Sequence, residues 1–285
     1  MKSRNMPAYA KLMRLDKPIG IFLLLYPTSW ALVMANQGSI QLQYAVIFFL
    51  GVVATRSLGC VINDIADRNI DIHVLRTKDR PLATQEISIL EATIIASGLT
   101  TFSVILLLQL PMTTWPLALV AMLLMIIYPF CKRFFHCPQL ILGIAFSVSI
   151  LMVYSTVCGT LTMEAWQIFT ISTLWSVIYD TQYALVDKED DLKLGLRSSA
   201  ILFGKLCHQI IAILQKLFFC LWLNLGIKHN FNTQFYMFLS LAALLGIYQQ
   251  YLIMTNIREN SFLAFQNNKW VGLLLLIGVA ANFYF

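Results

Sequence analysis

Two short stretches hold eight of the 14 aspartates and glutamates in a chain of 285 residues. The first is Asn63-Asp64-Ile65-Ala66-Asp67-Arg68-Asn69-Ile70-Asp71, and the second runs from Asp180 through Tyr183 and Asp187 to Asp190-Asp191. Residues four apart on an α-helix lie about 40° apart around its axis, so Asn63, Asp67 and Asp71 share one face. Tyr183, Asp187 and Asp191 repeat that spacing. Two such faces turned toward each other offer four carboxylates and an amide oxygen. These are hard donors, suited to Mg2+ or Mn2+. Mg2+ usually shares its coordination with phosphate oxygens, so the pattern implies a polyphosphate substrate. Charged residues at a helix end are often only solvated caps, and Asp64, Glu189 and Asp190 are open to that reading. Two triples with one offset are not explained by capping.

The cations fit the same chemistry. Arg56 precedes Asn63 by seven residues, two helical turns, and so shares its face at greater depth. An arginine inside an apolar run needs a partner or a polar cavity, and this one would point at an anionic group such as a carboxylate. Lys78, Arg80, Arg133, Lys193 and Arg197 follow the acidic stretches or a neighbouring apolar run and could clamp diphosphate oxygens. Tyr128-Pro129-Phe130 would set Arg133 at a helix end. The loop Arg76-Thr77-Lys78-Asp79-Arg80-Pro81-Leu82-Ala83 is long and basic, as a lid excluding water would be.

The elements that must position these groups are membrane helices. Hydrophobic residues make up 59% of the chain and charged ones 12%, with a mean hydropathy of +0.73, outside the range of soluble domains. Continuous apolar runs near 19–35, 44–62, 88–110, 113–130, 138–157, 164–186, 207–227, 235–255 and 269–285 predict nine transmembrane helices. None alternates with period two, which excludes a barrel. The expectation is an all-α membrane protein, one domain over residues 1–285, with a bundle around a central cavity. No cleavage site follows the first run, so it reads as a permanent helix and not a signal peptide. Of the 20 Lys and Arg, 17 fall at the N-terminus or in alternate loops on one side, which predicts a cytoplasmic N-terminus. Both acidic stretches then lie on that face, one in each half of a weak pseudo-repeat. The net charge of +6 is scattered over loops, so no nucleic-acid partner is expected. Six cysteines lack CxxC spacing and four histidines form no ligand pattern, so neither is assigned a metal.

At these residues the chain resembles the UbiA-type superfamily of intramembrane prenyltransferases, and within it the branch that prenylates 4-hydroxybenzoate for ubiquinone biosynthesis. The N-D-x-x-D-x-x-x-D signature is met by Asn63, Asp64, Asp67 and Asp71; D-x-x-Y-A-x-x-D-x-x-x-D is met by Asp180, Tyr183, Ala184, Asp187 and Asp191. Arg14-Leu15-Asp16-Lys17-Pro18-Ile19-Gly20, Asp79-Arg80-Pro81-Leu82, Tyr128-Pro129-Phe130 with Lys132-Arg133, and Gly195-Leu196-Arg197-Ser198-Ser199-Ala200 with Phe203-Gly204 also match. One departure is Gln85-Glu86, where many members carry a glycine near position 85.

The resemblance implies that Asp67, Asp71, Asp187 and Asp191 are catalytic and carry Mg2+ bridged to an allylic diphosphate, with Asn63 and Tyr183 completing the polar shell. It implies that Arg133 and other basic residues hold diphosphate or the carboxylate of an aromatic acid, and that Arg56 lines the acceptor pocket. The expected partners are polyprenyl diphosphate, 4-hydroxybenzoate and the lipid bilayer; the expected place is a bacterial inner membrane with the site facing the cytoplasm. Other acceptors within the superfamily are dihydroxynaphthoate, homogentisate and haem. A CDP-alcohol phosphotransferase would need a glycine-rich aspartate string that is absent. A cation transporter would place its carboxylates near the bilayer midplane.

Overall fold

The computed structural model describes residues 6–284; Lys2 and Arg4 of the cation count, and the last residue of the ninth run, lie outside them. The helices are α1 (Met6–Leu12), α2 (Ile19–Ala35), α3 (Leu42–Asp71), α4 (Ile89–Leu107), α5 (Trp115–Phe134), α6 (Pro138–Cys158), α7 (Met163–Lys193), α8 (Ser199–Leu202), α9 (Cys207–Lys228), α10 (Thr233–Met254) and α11 (Arg258–Tyr284). Among the described residues there is no strand. A helix stands at each of the nine apolar runs. Seven of these are long and apolar enough to cross a membrane; α2, at 17 residues, is apolar but shorter, and α7 is long but polar along its second half. On α4 and α5 large side chains such as Leu90, Ile94, Ile105, Leu119, Leu123 and Ile127 stay exposed, as lipid-facing residues would.

Length places the acidic stretches. At 1.5 Å per residue, the 30 residues of α3 and the 31 of α7 each reach about 45 Å, against about 30 Å of hydrocarbon. The surplus falls at their C-terminal ends, where the apolar residues stop and the aspartates begin. α3 and α7 are therefore continuous rods whose last turns stand beyond the apolar layer.

Two elements differ from expectation. The last helix starts at Arg258 and not near 269, because its first three turns are amphipathic and a hydropathy window passes over them. Ser261, Ala264, Phe265 and Asn268 form its buried face, which carries Lys269 off the expected loop and onto a cavity wall. The short α1 has no apolar run to announce it. Its Ala8 and Leu12 pack against Val61, Leu82, Ile87 and Ala92, and the Tyr9 hydroxyl donates to Glu91 Oε1 at 2.9 Å. Glu91 also closes a capping box with Ser88 at the start of α4.

A buried chain of amides ties the C-terminal half together. Trp175 Nε1 on α7 donates to Asn268 Oδ1 on α11 at 3.0 Å, and Asn268 Nδ2 donates to Gln182 Oε1 at 2.8 Å. Gln182 Nε2 on α7 and Gln215 Nε2 on α9 both donate to Gln249 Oε1 on α10, at 3.1 and 2.9 Å. Buried amides are costly unless paired, so this network admits few rotations of α7. The α6–α7 contact is fixed by Gly143, where a Cβ would come within 2.8 Å of the Thr173 carbonyl oxygen. Gly143→Val is expected to lower stability by about 1–3 kcal/mol through overpacking, read as a lower unfolding midpoint in detergent; an unchanged midpoint would show that α6 can shift freely.

Candidate functional site

The two acidic helix ends meet. Asp67 and Asp71 of α3 and Asp187 and Asp191 of α7 are all buried, and with Asn63 they line one small cavity of about 30 Å3. Arg76, Arg80, Lys132 and Arg133 line it too. Beneath it opens a cavity of about 1000 Å3 that Asn63, Arg80, Asp187 and Asp191 share, and that Arg56, Tyr128, Asp180 and Tyr183 line further in. Its walls then turn apolar past Met122, Met125 and Met152 to Leu110 and Trp115, at the α4–α5 turn on the opposite end of the bundle. One continuous space thus joins a highly charged mouth to a long apolar interior.

Charge is balanced by pairing. Arg76 forks onto Asp187, with Nε donating to Oδ1 at 3.0 Å and Nη2 donating to Oδ2 at 2.6 Å, and its guanidinium lies 4.5 Å from the Tyr183 ring centre. Arg80 Nη1 donates to Asp71 Oδ2 at 2.8 Å and to Asp64 Oδ1 at 3.0 Å. The basic loop therefore lies over the acidic ends, held by their own carboxylates. Asp64 does not behave as a solvated cap: it is 1% exposed, and Arg14 Nη2 reaches both its oxygens at 2.7 and 2.8 Å. Glu189 and Asp190 pair with Arg258 at the start of α11. Asp191, on the part of α7 beyond its apolar segment, has its carboxyl pushed up to about 6 by burial, against the opposing pull of Lys132. Burial at that cost marks a group that gains from added positive charge.

The predicted cations separate into two sets. Arg80 and Arg133 reach the site, although Arg133 is 45% exposed, stands 3.8 Å from Asp67 Oδ1 and donates to the Ala66 carbonyl at 3.1 Å. Lys78 and Lys193 are exposed and line neither cavity. Arg197 is engaged at the end of α5, where its backbone N–H donates to the Lys132 carbonyl at 2.8 Å and its guanidinium donates to the Phe134 carbonyl. Arg56 is on the cavity wall as expected: Nη1 donates to Cys60 Sγ at 3.0 Å, the guanidinium lies 5.6 Å from the Phe146 ring centre, and Nε is buried without a partner. Gly20 makes room for it, since any Cβ there would collide with the guanidinium.

Sequence reasoning passed over Arg76, Lys132, Tyr128 and Asp180 as site residues. Asp180 was legible in principle, seven residues before Asp187 and so on its face. Arg76 and Lys132 sat beside favoured cations with no signal to rank them.

The donor set fits a hard divalent cation. Among the described residues no three Asp, Glu, His or Cys side chains converge closely enough to enclose an ion by themselves. That suits Mg2+, which is held by one or two carboxylates and completes its shell with water and phosphate oxygens. A cage of protein ligands is not required.

Asp64→Asn leaves Arg14 and Arg80 without their shared buried partner. It is expected to cost about 3 kcal/mol, the lower end for breaking a buried pair, and to speed tryptic cleavage in the 76–80 loop. Unchanged cleavage and an unchanged unfolding midpoint would remove Asp64 as the anchor of the loop.

Comparison with known proteins places this geometry. The profile of the UbiA prenyltransferase family matches residues 24–281. A 4-hydroxybenzoate octaprenyltransferase of Coxiella burnetii (strain RSA 493 / Nine Mile phase I) is 44% identical over 280 residues, covering 98% of this chain and 98% of the relative. One of Vibrio cholerae serotype O1 (strain ATCC 39315 / El Tor Inaba N16961) is 47% identical over 272 residues, covering 95% and 96%. Among solved structures, a UbiA homolog from Aeropyrum pernix K1 superposes with a TM-score of 0.81 at 22% identity, covering 91% of this chain and 97% of that one. A UbiA homolog from Archaeoglobus fulgidus bound to GPP and Mg2+ gives a TM-score of 0.75 at 18% identity, covering 98% and 100%.

Proposed function

The chain belongs to the UbiA prenyltransferase family, and from that premise we propose that it moves a polyprenyl group from polyprenyl diphosphate to the ring of 4-hydroxybenzoate, at the carbon beside the hydroxyl, in ubiquinone biosynthesis. It is a multi-pass membrane enzyme, an aromatic prenyltransferase. The observation that carries the finer reading is the single cavity that runs from buried carboxylates and cations, past one deep guanidinium, into an apolar interior. A molecule with a diphosphate head and a hydrocarbon tail has that polarity. Curated relatives named for an octaprenyl substrate support a long tail.

The residues divide the work by position. Arg80, Lys132 and Arg133 surround the mouth and bind diphosphate oxygens, their charge growing in value as the C–O bond breaks and negative charge collects on the leaving group. Carboxylates drawn from Asp67, Asp71, Asp187 and Asp191, with Asn63 beside them, would hold Mg2+ in a shell completed by water and phosphate oxygens, and the ion would supply further positive charge to that diphosphate. Tyr128, on the wall of the same cavity, shelters the allylic cation. Arg56, with a free donor in the wall below, holds the acceptor carboxylate and so directs the ring carbon toward the cation. The ring attacks, a proton leaves the substituted carbon, and aromaticity returns. The loop bearing Arg76 and Arg80 keeps water from the cation. The tail stays in the apolar section, which spares a large insoluble product from crossing water. The asymmetry of the cations supports a cytoplasmic mouth and N-terminus, in a bacterial inner membrane.

Asp187→Ala, inserted normally in membranes, is expected to lose transfer to 4-hydroxybenzoate by on the order of 100-fold or more at saturating Mg2+. Wild-type rates would remove α7 from the chemistry. Arg56→Ala is expected to raise KM for 4-hydroxybenzoate about 10- to 100-fold, the span of one charge-assisted hydrogen bond, with little change for the prenyl diphosphate. Equal shifts for both substrates would refute its place at the carboxylate.

A further inference from the structure

The ion pairs at the mouth are not equivalent. Arg80 is anchored twice, to Asp71 and to Asp64, and Asp64 is itself clamped by Arg14. If Asp71 were engaged elsewhere, Arg80 would stay in place on Asp64. Arg76 has no such second carboxylate. Its fork is spent on the two oxygens of Asp187, at 3.0, 3.1 and 2.6 Å, with only the ring face of Tyr183 beside it. It is the one cation of the lid whose side-chain hydrogen bonds all go to a carboxylate that the proposed reaction also needs.

The Nε–Nη2 edge of a guanidinium presents the same pair of parallel donors to a carboxylate and to a phosphate, and that edge serves one of them at a time. A divalent cation takes the same lone pairs on Asp187 that Arg76 now takes. Both cannot have the full set. We propose that Arg76 is a diphosphate-binding residue stored on Asp187. A cation arriving at Asp187 releases the guanidinium to the diphosphate, and a diphosphate that draws the guanidinium away frees Asp187 for the cation. Tyr183 acts as the pivot, because stacking on its ring survives a swing of the fork from one partner to the other.

This inference rests on the reading of the mouth as a cation and diphosphate site, and it adds a thermodynamic consequence. Each ligand alone must break the Arg76–Asp187 pair, and the first to do so removes that cost for the second. The two ligands therefore bind with positive and reciprocal coupling. The pair also keeps Asp187 and Arg76 compensated when no substrate is present, so the buried carboxylate is never left bare.

The test uses the full chain in lipid nanodiscs, with Mn2+ read by electron paramagnetic resonance and inorganic pyrophosphate as the second probe. In the wild type each probe is expected to tighten the other by about 5- to 10-fold or more. In Arg76→Gln, Mn2+ alone is expected to bind several-fold tighter, because its competitor is gone, while pyrophosphate in the presence of Mn2+ binds about tenfold weaker, and the mutual tightening shrinks to the part that direct metal–phosphate contact supplies. Arg76→Lys, which keeps the charge but not the fork, is expected to fall between. Changes of opposite sign are not produced by a damaged fold, which would weaken both. If both affinities fall together, or Mn2+ affinity and the coupling stay as in the wild type, the proposal is overturned. If wild-type protein binds neither probe, the reading of the mouth itself fails and takes the proposal with it.

Discussion

Five of the six buried aspartates stand at one end of the bundle and must be compensated, and the arrangement of the segments around them follows from that constraint. Asp64, Asp67, Asp71, Asp187 and Asp191 are each no more than 6% exposed. Burying carboxylates without partners would cost several kcal/mol apiece. Compensation comes from three separate places: Arg14 ahead of α2, Arg76 and Arg80 in the loop after α3, and Lys132 with Arg133 at the end of α5. The N-terminal segment, the lid and the α5 end are thus all drawn to one point by charges carried on two helices.

The same two helices decide where that point stands. α3 and α7 are longer than the apolar layer, and both spend their surplus on the same side. The acidic ends therefore sit at the boundary between water and hydrocarbon, where a diphosphate can arrive from one phase and an isoprenoid chain from the other. The large cavity below inherits this division. Its charged mouth lies among the helix extensions, and its apolar length lies within the bundle. Arg56 interrupts the apolar wall at one depth, with Nε buried and unpaired.

A second polar system works in the opposite sense. The amides of Gln182, Gln215, Gln249 and Asn268 are joined by hydrogen bonds inside the C-terminal helices and line neither cavity. Gln182 directly precedes Tyr183 and sits five residues before Asp187, so whatever fixes the rotation of Gln182 also fixes the direction of those two side chains. The charged cluster lines both cavities; the amide cluster sets the bearing of the helix that carries half of it.

Much of this was legible without coordinates. The i, i+4, i+8 triples define a helix face by local geometry alone, and continuous apolar runs define membrane helices by the energetics of backbone hydrogen bonds in lipid. Neither depends on what packs where. Tertiary structure decided the rest. Lys132 and Arg133 are adjacent, yet one step along a helix turns a side chain by about 100°, so only the packing of α5 determines which of them faces the carboxylates. The loop from 76 to 80 has no period at all, and its choice of Arg76 over Lys78 is made by contact with Asp187. Asp64 looked like a surface cap because its two arginine partners lie 50 residues before it and 16 after it. Sequence fixes which groups share a face; only the folded chain fixes which faces meet, because that is settled by burial and charge compensation between segments far apart along the backbone.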